Sequence, residues 1–157
     1  MSDFKDVLVE WRYREDAVLS LAGLIGDAAV LVREEQERLI VDAFDRGLLS
    51  LAERDDAILA DVVVRGQRCD NGSAVLLVIE VAPEIGAADV GQALRRAALW
   101  AKLGIPAQPA VAGLTISAEG ARLAHDRHVL VSLLPDLLGP DALGHSASAR
   151  TVQTKRE

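Results

Sequence analysis

Two carboxylates stand against the most apolar stretches of this 157-residue sequence. Asp61 heads Asp61-Val-Val-Val-Arg65, and Glu80 closes the run Ala74-Val-Leu-Leu-Val-Ile79, nineteen positions further on. An unpaired charge in such surroundings costs several kcal/mol, so each acid calls for a base, a proton or a metal. Two carboxylates that converge can hold one hard cation, Mg²⁺ in the first instance, with waters completing its shell. The alternatives are that Asp61 is a turn residue ahead of a strand and that Glu80 pairs with Arg95 or Arg96. Other chemistry finds little support. One cysteine, Cys69, excludes an internal disulfide framework and a multi-Cys zinc site. His125 and His128 flank Asp126 without the i, i+4 spacing of a metal pair, and His145 sits in an aperiodic Gly-His-Ser tail. No strand exit carries G-x-G-x-x-G or a P-loop.

The elements that must position the two acids follow from periodicity. Phe4, Val7, Leu8, Trp11, Val18 and Leu21 recur at helical spacing over Asp3 to Leu24, and Leu39, Ile40, Ala43 and Phe44 do so over Glu34 to Phe44. Ser50, with Glu53 three residues on, predicts an N-capped short helix to about Leu59. The front third thus reads as helical, interrupted by a short apolar run, Ala28 to Val32. Asp61 to Arg65 and Ala74 to Val81 are β-branched runs joined across Asn71-Gly72, a hairpin signature. The second run is apolar without alternation, as in a central strand covered on both faces. Ala87 to Lys102 returns to a helical period with Val90, Leu94, Ala97 and Ala101 on one face. A strand over Ala107 to Ala112, a helix over Ser117 to Asp126 and a strand over Val129 to Leu133 complete the pattern. The order predicts an α/β domain of three layers: N-terminal helices, then a mixed sheet flanked by helices, its later strands parallel to a neighbour. We expect one domain over residues 1–135 and a flexible tail over 136–157.

This arrangement resembles the PD-(D/E)XK nuclease superfamily, the restriction-endonuclease-like fold, over about Asp3 to Leu134. Glu10 in Glu10-Trp-Arg-Tyr-Arg14 is similar to the first-helix acid of that family, Asp61 to its metal-binding Asp, and Glu80-Val-Ala82 to its Glu-x-Lys motif. Gln92 to Arg96 looks like the Gln-x-x-x-Tyr helix of exonuclease branches, with Arg96 in place of Tyr. The stretch from Gly104 to Ala124 looks like an uncharacterised bacterial branch of the superfamily. The resemblance implies Mg²⁺-dependent hydrolysis of DNA phosphodiesters. Asp61 and Glu80 would be the catalytic pair, Glu10, Asp61, Glu80 and the Val81 carbonyl the metal ligands, and Gln92 and Arg96 auxiliary groups. One departure bears on all of this: the motif lysine is Ala82. Losing a comparable preorganised donor lowers a rate about 10²–10³-fold. The sequence therefore carries two readings, an active nuclease and a catalytically silent descendant that serves as an interaction or oligomerisation module.

Composition narrows the partners. A net charge of −7 and a pI near 5.0 disfavour DNA as the main ligand. Half the residues are apolar and mean hydropathy is +0.20, so the chain can bury a core. Its longest uncharged apolar runs fall far short of the ~20 residues that span a bilayer. With no export signal at Met1 to Asp6, we expect a cytoplasmic protein without membrane contact and a homodimer.

Overall fold

The computed structural model describes residues 25–133. Eleven elements follow in chain order: β1 (Ile25–Val30), α1 (Arg33–Asp45), α2 (Leu51–Ala57), β2 (Val62–Arg68), β3 (Ala74–Val81), β4 (Glu84–Ile85), α3 (Ala87–Ala101), β5 (Ala107–Gly113), β6 (Thr115–Ile116), α4 (Ala118–Asp126) and β7 (Leu130–Leu133). β1, β2, β3, β5 and β7 form a mixed sheet in that order, and β4 pairs with β6 in a separate two-stranded sheet. The first three large-sheet strands are an antiparallel meander, whereas β5 joins β3, and β7 joins β5, in parallel. The α/β class, the hairpin, the central position of the apolar strand and the parallel later strands are as the sequence predicts. The helix expected over Asp3 to Leu24 lies outside the described residues, as does the tail.

Strand alternation explains why β3 reads as continuously apolar. Leu76 and Val78 point to the face that carries Val63, Ile40, Ala43, Ala57, Ala97 and Trp100. Leu77 and Ile79 point the other way, among Val62, Val64, Ile25, Ala110 and Ala112. A third cluster joins α3, α4 and β5 through Val90, Ala93, Ala124 and Val111. Ser50 caps α2 as expected: its hydroxyl accepts from the Glu53 N–H at 3.2 Å and the Glu53 carboxylate accepts from the Ser50 N–H at 3.0 Å. Ser50→Ala should lower stability by about 1 kcal/mol in a urea titration.

Three expectations need correction. The front of the described chain is not all helical, because the Ala28 to Val32 run belongs largely to β1, whose Ala29 and Val30 pair with Arg65 and Val64 of β2. A register shift between Gly26 and Ala29, with Asp27 at φ 50°, breaks the alternation that would have marked the strand. β4, between β3 and α3, is an element the predicted order lacks. Finally, α3 is rotated from the expected stripe: Ala101 is exposed, while Val90, Ala93, Arg96, Ala97 and Trp100 are buried.

The small sheet sets a tight steric limit. A Cβ on Gly113 would collide with the Ala82 carbonyl oxygen, which is fixed backbone. Gly113→Ala should destabilise the fold by about 1–3 kcal/mol, read as a lowered thermal midpoint.

Candidate functional site

The antiparallel register carries Asp61 to Glu80. Val62 lies opposite Ile79, so one step further along the pair sets Asp61 across from Glu80. Opposed residues of an antiparallel pair share a face, and here it is the face under α3. The two carboxyls lie within hydrogen-bonding reach of one another. Asp61 also accepts from the Val81 N–H at 2.8 Å through Oδ2, so Val81 enters the site by its N–H.

α3 answers the two acids with a guanidinium. Arg96 Nη1 lies 2.9 Å from both carboxylate oxygens of Glu80, and the two residues are only 6% and 3% exposed. The same nitrogen reaches the Leu59 carbonyl at 3.2 Å, and Nε reaches Asp56 Oδ1 at 3.3 Å. Asp56, near the end of α2, also takes Arg95 on its two oxygens at 2.6 and 3.1 Å. Trp100 Nε1 donates to the Ala57 carbonyl at 3.1 Å, one turn of α3 beyond Arg96. α2 thus anchors α3 at two levels, and Arg96 is held from both sides. Gln92 lies against Arg96; with its amide oxygen turned to the guanidinium it accepts from Nη2 at 3.1 Å. Asp89 is apart from this group, because its carboxylate accepts from the Gly86 N–H at 2.8 Å at the start of α3.

Charge follows geometry. Burial and the adjacent Asp61 push the Glu80 carboxyl up from 4.5 to about 8, and the Arg96 guanidinium offsets only part of that. Asp56 is held below the usual carboxylate range, mainly by its hydrogen bond from Arg95. Asp56, Asp61 and Glu80 face Arg95 and Arg96, so a proton held by Glu80 leaves this cluster neutral.

The geometry tests the ion-binding expectation directly. Both oxygens of Glu80 are engaged by Arg96, and among the described residues no group of three His, Cys, Asp or Glu side chains could hold a metal ion. The donor set as it stands does not fit a divalent cation, since a guanidinium sits where the ion would neutralise charge. Of the expected ligands, Asp61, Glu80 and Val81 are brought together, and Glu10 lies outside the described residues. Gln92 and Arg96 face the acids, and the pairing of Glu80 with Arg96 given as an alternative is the one present, with Arg96 buried. Asp56 was missed. Its only sequence signal was its place in Arg54-Asp-Asp-Ala57, next to the end of a predicted helix.

No helix among the described residues is long and apolar enough to cross a membrane. No protein-family model matches the chain, and no curated protein matches it. Among solved structures, the chain is similar to one described as an EndoMS–dsDNA2 complex, with a TM-score of 0.49 and 13% identity over 86% of this chain and 46% of that one. It is also similar to a repair endonuclease from Pyrococcus abyssi, with a TM-score of 0.37 and 18% identity over 47% and 33% of the respective chains. A third is EndoMS in apo form, with a TM-score of 0.37 and 17% identity over 47% and 32%. The chain thus spans less than half the length of each of these proteins.

Proposed function

We propose that the chain is a restriction-endonuclease-like domain whose acid pair is neutralised from within, so that it acts as an interaction and assembly module without cleaving phosphodiesters. The observation that carries this reading is the buried contact of Arg96 Nη1 with both oxygens of Glu80 at 2.9 Å. Ala82 supports it, because an alanine supplies no cation for the developing phosphate charge. The order β2, β3, α3, β5, α4, β7 is the one that the PD-(D/E)XK resemblance implies, with Asp61 and Glu80 at the matching ends of the hairpin. The guanidiniums at the acids are those of Arg95 and Arg96, and both are engaged with carboxylates rather than turned outward for a phosphate backbone.

One observation favours the active reading instead: Asp61 and Glu80 do converge on a single face. In that reading Mg²⁺ would be held by the two carboxylates and would activate water for attack on DNA. A cleavage assay on plasmid and short duplex DNA with Mg²⁺ or Mn²⁺ separates the two. We expect no cleavage above that of Asp61→Asn, and none from Ala82→Lys while Arg96 is in place. Cleavage by the wild-type chain that Asp61→Asn removes would overturn the silent reading. The partner this reading favours is a second copy of the chain, supported by the apolar Val131 and Leu133 on β7, which are 43% and 48% exposed. Light scattering on the purified protein should give the dimer mass.

A further inference from the structure

We propose that Asn71 modifies itself: the backbone nitrogen of Gly72 closes on the Asn71 side-chain amide, ammonia leaves, and the hairpin loop gains a carboxylate, with Ser73 supplying the donors that hold the developing charge. Asn71 is the sole asparagine of the sequence, and glycine follows it. It stands at the exposed tip between β2 and β3, where the Arg68 N–H donates to the Ser73 carbonyl at 2.8 Å and closes the loop. Asn71 Oδ1 accepts from the Ser73 N–H at 2.9 Å and from the Ser73 hydroxyl at 2.6 Å. A side-chain acceptor that reaches the second N–H along the chain leans over the intervening peptide, which is that of Gly72. Nucleophile and amide carbon are therefore neighbours. Gly72 has no side chain to shield its nitrogen, and a Cβ placed there would meet nothing within 4 Å, so water has free access. Both Ser73 donors point at the oxygen on which negative charge grows as the nitrogen adds, the arrangement that stabilises a tetrahedral intermediate.

The step needs no oxidant or reductant. The Gly72 nitrogen gives its proton to solvent hydroxide, breaking its 2.8 Å contact with the Arg68 carbonyl, and bonds to Asn71 Cγ. The Cγ–Nδ2 bond then breaks, and Nδ2 takes a proton from water and departs as ammonia, leaving a succinimide. Water opens that ring, so one water is consumed for each ammonia released. Addition at Cγ yields aspartate; addition at the main-chain carbonyl yields isoaspartate, whose extra main-chain carbon lengthens the loop. Either product sets a new carboxylate beside Asp70, which already holds Arg68 through contacts at 3.1 and 3.0 Å.

The experiment is incubation of the purified full chain in warm, mildly alkaline buffer, followed by isoelectric focusing and by peptide mapping with mass detection. Wild type should convert to a more acidic form whose change maps to Asn71, faster as pH rises, since the attacking nitrogen must first lose its proton. Asn71→Gln should not convert at that position, because its longer side chain closes a less favoured ring. Ser73→Ala lacks one of the two donors to Oδ1 and should convert about 2–10-fold more slowly. Ser73→Thr keeps the hydroxyl and should stay close to wild type. Wild type that remains a single species at Asn71 overturns the proposal. Ser73→Ala that converts as fast as wild type, or faster, overturns the part assigned to Ser73, because a looser loop rather than the paired donors would then set the rate.

Discussion

Arg96→Ala will be less stable than wild type by about 1–3 kcal/mol near neutral pH, the range seen when buried acceptors lose their donor. The size follows from how much hangs on one side chain. Its loss strips Glu80 of its guanidinium, removes one of the donors to Asp56, and leaves the Leu59 carbonyl without its contact. It also removes an apolar stem from the interface between α3 and the sheet. A urea midpoint that drops with an unchanged slope is the expected signature. Lysine should recover only part of the loss, because a single ammonium cannot serve three acceptors spread around a planar fork. A loss below about 1 kcal/mol would mean that the pair is weakly coupled to the fold.

Glu80→Gln should reverse the usual direction, giving a protein more stable than wild type in mild alkali. The Glu80 carboxyl sits at about 8 in the folded chain against 4.5 for an ordinary glutamate. Below pH 4.5 both states hold the proton and the group contributes no pH-dependent penalty. Between 4.5 and 8 the unfolded chain releases that proton while the folded chain retains it, so stability falls by about 1.4 kcal/mol per pH unit, and by at most about 5 kcal/mol once pH 8 is passed. Glutamine mimics the protonated acid, since it keeps an acceptor for Arg96 and a donor for Asp61, and it has nothing to ionise. The stability difference between variant and wild type should therefore open as pH rises from 5 to 8 and then level off. Denaturation curves recorded across that range check it, and parallel curves for the two proteins would remove burial and Asp61 as the causes of the raised value.

Much of the fold was legible because local signals agreed with tertiary ones. Asn71-Gly72 marked the hairpin, Ser50 and Glu53 marked the start of α2, and the unbroken apolar run marked β3 as central. The convergence of Asp61 and Glu80 was also legible, since hairpin register follows from the turn and from which face the apolar residues bury. What escaped has a physical reason in each case. β1 is masked by the irregularity at Gly26 and Asp27, which defeats a period-two search. β4 is two residues long, too short for any periodic pattern. The pairing of Glu80 with Arg96 was legible as one of two readings, but the burial of Arg96 was not, because charge is the ordinary mark of an exposed helix face. Only the acids beneath it, brought there by a strand 16 residues earlier in the chain, account for that burial. Asp56 was hidden for the same reason: its partners lie 39 and 40 residues away.

The hydrogen bond from the Val81 N–H to Asp61 has a spectroscopic consequence. Most strand amides report on a neighbouring carbonyl, whereas this one reports on a carboxylate. In a ¹H–¹⁵N correlation spectrum its resonance should stand downfield and should shift with pH as the neighbouring Glu80 gains or loses its proton. One backbone peak then becomes a residue-level indicator of the protonation of the acid pair, readable in the unmodified chain and without any ligand.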